Sequence, residues 1–387
     1  MPIVIPTSLL PVDGRFGSGP SKVRSAQVDA VAAAAFGPLG TSHRKTPVRE
    51  LVGRIRGGLR ELFALPEGYE VVLGNGGATC FWEVAVASLV ERRAQTAVFG
   101  EFGGKFVAAV ERAPFLDAPD IVSAPPGEVA FLSSTTMADG SAADVYATVQ
   151  NETSTGAAVP IKRVPGTGGV GAAGGGDALM VADATSAAGG LPIDIRDTDV
   201  YYFAPQKAFA SDGGLWIAIA SPAAIERAAR VEKDLPGGRW IPEFLSFTAA
   251  LSNSVQDQTL NTPAVATLIM FAEQVEWLLE NGALDWAVAR SAESAGILYG
   301  WAESRPWATP FIADPRYRSN VVGTIDFADS VDAAEIAKNL RANGIVDVEP
   351  YRKLGRNQLR VAMFPAISPT DVRALTECID YLVDRIN

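Results

Sequence analysis

Residues 178–220 read ALMVADATSAAGGLPIDIRDTDVYYFAPQKAFASDGGLWIAIA. This stretch contains three short apolar runs, at 178–183, 200–204 and 215–220, and turn-forming Gly, Pro, Asp and Ser residues separate them. Short apolar runs bounded in this way predict strands that are buried on both faces. Because similar runs earlier in the chain alternate with helical patterns, we predict an α/β fold whose large sheet is mainly parallel and carries helices on both faces.

The chain is long enough for more than one domain. Its 387 residues predict two or three domains of about 150 residues each. We assign residues 1–15 to an irregular N-terminal arm, residues 16–265 to the large α/β domain and residues 266–387 to a smaller C-terminal domain. Residues 166–176 contain seven glycines and predict a flexible surface loop, to which we assign no function.

The C-terminal region shows a different order of elements. A long amphipathic helix at 264–281 precedes it, and the pattern that follows predicts β-α-β-β-α, which is typical of a small α+β domain. The predicted strands cover 321–327, 345–348 and 358–363, and the predicted helices cover 332–343 and 370–386. Clefts between two domains of this kind commonly bind ligands.

The composition restricts the chemistry. The chain contains one histidine, His43, and two cysteines, Cys80 and Cys378. These numbers argue against a zinc site, so we expect no metal, and they exclude a disulfide framework, which fits a cytoplasmic protein. Asp and Glu outnumber Lys and Arg by 44 to 33, for a net charge of −11, which argues against nucleic-acid binding. No run of about 18 apolar residues occurs, so we expect no membrane span.

The stretch Leu73-Gly-Asn-Gly-Gly-Ala-Thr79 lies between a predicted strand and a predicted helix. Its glycines allow backbone amides to approach an anion, and the helix N-terminus adds a partial positive charge, so the turn fits a phosphate group. An ordinary glycine-rich turn is the alternative. No Gly-Lys-Ser/Thr follows, which excludes a Walker A loop, and Thr79 stands where a dinucleotide-binding motif has its third glycine.

Asp183 and Lys207 each follow a buried predicted strand. A carboxylate at the end of such a strand lies where open α/β sheets bind ligands, and a lysine that closes an aromatic strand is partly desolvated, which makes it nucleophilic. A turn-capping aspartate and a solvated lysine are the structural alternatives. Pyridoxal phosphate requires this pair, a lysine for the Schiff base and an aspartate facing the pyridinium nitrogen. The glycine turn at 76–77 would then hold the cofactor phosphate.

Eight short motifs, taken together, resemble the phosphoserine aminotransferase family of fold-type I pyridoxal-phosphate enzymes in serine biosynthesis. They are Phe16-Gly-Ser-Gly-Pro-Ser, Gly40-Thr-Ser-His-Arg44, Gly76-Gly-Ala, Asn151-Glu-Thr-Ser-Thr-Gly156, Ala182-Asp-Ala-Thr-Ser, Ala204-Pro-Gln-Lys207, Asn261-Thr-Pro263 and Leu359-Arg-Val-Ala-Met-Phe. Their shared order and spacing cover nearly the whole chain. The resemblance implies a homodimer that uses pyridoxal 5′-phosphate to transfer the amino group of L-glutamate to 3-phosphohydroxypyruvate, giving 2-oxoglutarate and O-phospho-L-serine.

The resemblance also implies a role for each matching residue around the cofactor. Lys207 would bind the cofactor covalently and shuttle a proton, and Asp183 would pair with the pyridine nitrogen. Thr153 would contact the ring hydroxyl. Phe102 stands where the family usually has a tryptophan stacked on the ring, so the apolar face is kept and the indole N–H is lost.

The resemblance also implies which residues bind the cofactor phosphate in each subunit. The amides of Gly77 and Ala78 would bind the cofactor phosphate beside Gln206, and Asn261 and Thr262 would reach the phosphate of the neighbouring subunit.

Arg360 would bind the substrate α-carboxylate with a bidentate fork. His43 and Arg44 would bind the distal anion of the substrate, which is the γ-carboxylate of glutamate in one half-reaction and the phosphate of 3-phosphohydroxypyruvate in the other. The family often has a second His-Arg pair before the Arg360 strand, but this chain has no histidine there. Its candidate replacements are Arg352, Lys353 and Arg356.

Other functions are left open by the residues. An aminotransferase for a non-phosphorylated partner, such as alanine or serine with glyoxylate, would share most of the motifs. A phosphorylated threonine relative in vitamin B6 synthesis is a second acceptor to consider. A nicotinamide-dependent oxidoreductase would leave Lys207 and Asp183 unexplained, and a cysteine desulfurase would need a reactive cysteine on a loop, whereas Cys80 and Cys378 lie in predicted helices.

Overall fold

The computed structural model describes residues 2–134, 142–165, 167, 177–233 and 239–386. The glycine-rich loop predicted at 166–176 therefore falls, apart from residue 167, outside the described residues. Among the described helices, none is long and apolar enough to cross a membrane.

The described part of the chain contains a large sheet of seven strands. They are β1 (Glu70–Asn75), β2 (Ala94–Val98), β3 (Asp120–Ser123), β4 (Val145–Val149), β7 (Leu179–Asp183), β8 (Val200–Phe203) and β9 (Leu215–Ala220), and a small two-stranded ladder consists of β5 (Asn151–Glu152) and β6 (Ala157–Ala158). The order in the large sheet is β1-β9-β8-β7-β4-β2-β3. Neighbouring strands from β8 to β3 run parallel, whereas β9 runs antiparallel to both β8 and β1. The mainly parallel sheet is as predicted, with one reversed strand.

Helices cover both faces of the large sheet because alternate strand residues point to opposite sides. Tyr201 and Phe203 of β8 pack into one apolar cluster, and Tyr202 between them packs into the other. The helices of this part are α1 (Ser25–Ala33), α2 (Thr46–Leu62), α3 (Gly77–Ser88), α4 (Glu101–Arg112), α5 (Pro222–Lys233), α6 (Phe247–Ser254) and α7 (Val265–Glu280). Helix α7 packs against α1 and α2, and the boundary proposed after residue 265 stays a prediction.

The C-terminal part is built on a three-stranded antiparallel sheet in the order β10-β11-β12. Its elements are α8 (Ala283–Glu303), β10 (Ala308–Pro310), β11 (Val322–Phe327), α9 (Ala333–Ala342), β12 (Gln358–Ala362) and α10 (Pro369–Ile386). The strand predicted at 345–348 is wrong, because Asp347 has a left-handed φ of 65° and Val346 makes only an isolated bridge, to Arg15. The observed order is therefore β-β-α-β-α.

The N-terminal arm is tied to this smaller part of the molecule. The amides of Ile3 and Ile5 donate to the side chains of Asn339 and Asn343 at 2.8 and 2.9 Å. Farther along, the amide of Phe16 donates to the carbonyl of Val346 at 3.2 Å, and its carbonyl accepts from the amide of Ala362 on β12 at 3.0 Å. The chain thus passes from contacts with the smaller part directly into residues 17–21. The boundary after residue 15 stays a prediction.

Candidate active site

A cavity of about 410 Å³ opens at the carboxyl ends of β4, β7 and β8 and at the N-terminus of α3. Ligands bind at this edge in open α/β sheets. Seven of the predicted site residues line it together, namely Gly77, Ala78, Phe102, Thr153, Asp183, Gln206 and Lys207. Their roles stay predictions, but the structure places them around one space.

Lys207 lies just beyond β8, and its side chain is buried in the cavity wall. Its Nζ donates to the carbonyl of Ser18 at 2.6 Å and to Thr153 Oγ1 at 3.4 Å. Burial, and secondly the positive charge of Arg360, lower the pKa of Lys207 from 10.5 to about 7. Near neutral pH a large share of this amine is therefore unprotonated and can act as a nucleophile or base.

Asp183 is the last residue of β7, and its carboxylate faces the same cavity. Its Oδ1 accepts from the amide of Thr185 at 2.9 Å, and its Oδ2 accepts from Nε1 of Trp82 at 3.2 Å. Next to it in register on β8, Tyr202 is fully buried, and burial together with the Asp183 charge raises the pKa of this tyrosine well above 10. The aspartate is thus a buried carboxylate held by neutral donors.

The glycine turn adopts the geometry that its sequence predicts. Gly76 and Gly77 have φ of 111° and 69°, a left-handed region that residues with a side chain rarely enter. Helix α3 begins at Gly77, so the free amides of its first turn point into the cavity end where an anion is favoured. Gln206 lines the same cavity, and its Oε1 is buried without a partner in the described part of the chain.

Phe102 lines the cavity, whereas Arg360 is not among its lining residues and contacts the lining residue Thr153. Phe102 begins helix α4 together with Glu101, and the Nζ of Lys207 lies 5.8 Å from its ring centroid. Arg360 on β12 donates from Nη1 to the carbonyl of Thr153 at 3.1 Å. Its Nε is buried and has no partner among the described residues, and burial lowers the pKa of its guanidinium. A carboxylate ligand would satisfy this free edge of the fork.

The other four predicted residues lie together outside the cavity of their own chain. His43 Nδ1 is 3.2 Å from Thr262 Oγ1, and Asn261 Oδ1 accepts from Asn75, the residue before Gly76, at 2.6 Å. Arg44 donates to the carbonyl of Leu260 at 3.1 Å and to neighbouring amide side chains. Burial and the Arg44 charge lower the pKa of His43. We call His43, Arg44, Asn261 and Thr262 the outer cluster.

The three candidate cations of the 351–356 loop differ in their contacts. Arg356 forms an ion pair with Asp326 at 2.5 Å and lies over the Phe311 ring. Lys353 forms an ion pair with Glu101 at the start of α4. Arg352 is exposed and makes no hydrogen bond or ion pair within the described residues.

Sequence reasoning missed several residues of the cavity. Trp82, Lys105 and Gly19 line it, and Glu152 is buried behind Phe102, where its carboxylate accepts from the amides of Phe102 and Gly103 at 2.9 and 3.3 Å. Burial raises the pKa of Glu152. The signal for Glu152 was its place beside Thr153 in a quoted motif, and the signal for Trp82 was its position five residues after Gly77.

Comparisons with known proteins agree with this geometry. The family model for class-V aminotransferases matches residues 34–348. The phosphoserine aminotransferase of Nocardioides sp. (strain JS614) is 55% identical over 382 residues, 99% of this chain and 98% of the relative. A solved phosphoserine aminotransferase from Cytophaga hutchinsonii has a TM-score of 0.85 at 22% identity and covers 97% of this chain and 100% of its own.

A second solved structure, an alanine–glyoxylate aminotransferase from Nostoc sp., has a TM-score of 0.76 at 20% identity, over 99% of this chain and 98% of its own. At these identities the two structures show a common fold, which confirms the predicted fold class but does not separate phosphorylated from plain acceptors. The sequence relatives and the family model decide the membership. The chain belongs to the class-V aminotransferase family and, within it, to the phosphoserine aminotransferase group.

Proposed function

We propose that this enzyme transfers the amino group of L-glutamate to 3-phosphohydroxypyruvate and releases 2-oxoglutarate and O-phospho-L-serine, with pyridoxal phosphate as its cofactor. The observation that carries the proposal is the single cavity that combines the buried Lys207 amine, the Asp183 carboxylate and the N-terminus of α3. The membership in the phosphoserine aminotransferase group supports the choice of substrates.

The residues around the cavity fit pyridoxal phosphate. The first amides of α3 suit its phosphate, Asp183 suits a protonated ring nitrogen, and Phe102 offers an apolar face. Buried polar atoms without partners in the described chain, Gln206 Oε1 and Thr185 Oγ1, remain for a ligand. When bound, the cofactor supplies an electron sink for the charge left when the substrate Cα–H bond breaks.

Lys207 and Arg360 perform the work of the protein at the substrate. The lysine, with a pKa of about 7, accepts the substrate Cα proton on Nζ and later gives a proton back to complete the amino-group transfer. It can do both because its two protonation states are close in free energy at neutral pH. The Arg360 fork binds the α-carboxylate and thereby fixes the direction of the Cα–H bond. Thr153 holds both side chains in place, through its hydroxyl and its carbonyl.

The outer cluster serves the distal anion in a homodimer. His43 and Arg44 do not line the cavity of their own chain, so we propose that they face the cavity of a second copy, with Asn261 and Thr262 beside its cofactor phosphate. Cysteines that remain free thiols fit a cytoplasmic enzyme.

We propose Arg352 as the additional cation for the distal phosphate. Lys353 and Arg356 already form ion pairs with Glu101 and Asp326, which would have to break before either could bind substrate. The exposed Arg352 has no such competitor in the described part of the chain.

The proposal is tested by the choice of acceptor. Glutamate-loaded enzyme is given 3-phosphohydroxypyruvate, hydroxypyruvate or glyoxylate, and kcat/KM is measured for each. We expect the phosphorylated acceptor to be preferred about 100-fold or more, since the phosphate adds two or more charge-assisted hydrogen bonds. Arg352→Ala should reduce this preference and leave hydroxypyruvate unaffected. Equal kcat/KM values for the two hydroxypyruvates, or a preference for glyoxylate, would favour the non-phosphorylated alternative.

A further inference from the structure

Two N–H donors hold the Asp183 carboxylate, beside a side-chain hydrogen bond with Tyr202. The amide of Thr185 donates to Oδ1 at 2.9 Å, and the indole Nε1 of Trp82 donates to Oδ2 at 3.2 Å. Asp183 is only 6% exposed and forms no ion pair with a described residue. A buried carboxylate without a cationic partner depends on such donors, both for its stability and for its orientation.

Trp82 lies on the same helix as the amides proposed to bind the cofactor phosphate. Helix α3 begins at Gly77, and Trp82 follows five residues later, about 7.5 Å along the helix axis. Both residues line the cavity. Because α3 is buried along most of its length, it sets a fixed distance between the phosphate site and the donor to Asp183.

Trp82 belongs to the same apolar cluster as its neighbour Phe81, but only Trp82 also lines the cavity. The Phe81 ring packs against other rings, 4.5 Å from Tyr202 and 5.0 Å from Trp216 between centroids. Trp82 instead directs its N–H to a carboxylate of the cavity, and the Nζ of Lys105 lies 5.7 Å from its ring centroid. An apolar ring alone would fill the space without making the hydrogen bond to Asp183.

We infer that Trp82 is a positioning residue of this transaminase: its indole N–H fixes the orientation in which Asp183 meets the ring nitrogen of the cofactor. The inference rests on the proposed function, because that function brings the ring nitrogen to Asp183. In this role Trp82 acts through the aspartate.

The test replaces Trp82 by Phe, which keeps an apolar ring and removes the donor. A matched control exists in the chain, because Trp301 is equally buried and donates from Nε1 to Asp380 at 2.9 Å in the smaller part of the molecule. Two quantities are measured in the holoenzyme: the affinity for pyridoxal phosphate, and the single-turnover rate of the glutamate half-reaction per bound cofactor. For Trp82→Phe we expect both to fall about tenfold, the value of one hydrogen bond to a charged group. For Trp301→Phe both should stay within twofold.

A double-mutant cycle separates positioning from general packing. In an Asp183→Ala background, Trp82→Phe should lower the half-reaction rate by less than twofold, since the acceptor through which Trp82 acts is absent. Wild-type affinity and rate in Trp82→Phe, or an undiminished loss in the Ala background, would overturn the inference. The affinity for pyridoxal phosphate is measured without substrate. A wild-type enzyme that fails to react with glutamate would therefore count against the proposed function, while the affinity of Trp82→Phe would still decide the role of Trp82.

Discussion

The protonation of Lys207 gives the most quantitative prediction. Its pKa is lowered from 10.5 to about 7, which corresponds to about 5 kcal/mol of selective destabilisation of the ammonium form. About half of the Lys207 amine is then neutral at pH 7, about one tenth at pH 6 and about nine tenths at pH 8. An ordinary lysine would be neutral in only about 0.03% of molecules at pH 7. Only the neutral amine can attack the cofactor aldehyde.

The rate at which the apoprotein captures pyridoxal phosphate measures this fraction. Stopped-flow absorbance between pH 5.5 and 9 should show a rate that rises about tenfold per pH unit below 7 and levels off above 8. Pyridoxamine phosphate, which lacks the aldehyde, is the control for the titration of the phosphate group and for binding itself. Any pH dependence that it shows is divided out.

The Arg360 charge supplies the second part of this prediction. Arg360 is the second cause of the lowered Lys207 pKa, after burial, so Arg360→Met should move the inflection to higher pH. A capture rate that keeps rising up to pH 9 would refute the reasoning, because it would mean that Lys207 has an ordinary pKa. A shift to lower pH in Arg360→Met would refute the part assigned to Arg360.

Further predictions concern the same pocket. Lys207→Met should raise the free energy of unfolding of the apoprotein by a few kcal/mol at pH 7. Because the unfolded lysine binds a proton up to its higher pKa, this difference between variant and wild type should narrow as pH rises from 7 toward 10.5. Equal urea midpoints of the two proteins at pH 7 would contradict this. A Cβ at Gly19 would lie 2.7 Å from the Lys207 Nζ, so Gly19→Ala should slow cofactor capture about tenfold or more. Gly104→Ala, with open space around its Cβ, should not slow it. Equal capture rates in the two variants would contradict a close contact between residue 19 and Lys207. Glu152→Gln would set an amide NH₂ against N–H donors and should cost about 2 kcal/mol of stability, measured by urea denaturation, and an unchanged midpoint would count against its hydrogen bonds.

Much of the fold could be predicted because buried strands leave a clear pattern. The apolar runs at 178–183, 200–204 and 215–220 all became strands. The reversed direction of β9 could not be predicted, since a strand buried on both faces has the same apolar sequence in either direction. The strand expected at 345–348 failed because the backbone of Val346 bonds to Gly14 and Phe16, a contact between distant parts of the chain that the local pattern does not contain.

The site was predictable where chemistry demands a residue type. Lys207 and Asp183 stand out because a charged group at the end of an apolar strand is costly to bury unless it has a partner or a ligand. Trp82 does not stand out in the sequence, because α3 is apolar on nearly every side. In such a helix a tryptophan is expected to be an ordinary core residue. Glu152 was missed for a related reason, since its value lies in four hydrogen bonds from backbone and hydroxyl donors that only the folded chain brings together.

The central claim is that Lys207 and its pocket hold pyridoxal phosphate and pass an amino group from glutamate. It is tested most directly by the absorption spectrum of the purified enzyme before and after glutamate is added, with Lys207→Ala measured beside it. We predict a band of lysine-bound cofactor that glutamate converts to the amine form, and that the Lys207→Ala protein lacks. A wild-type spectrum without a cofactor band, or a band that glutamate leaves unchanged, would contradict the claim.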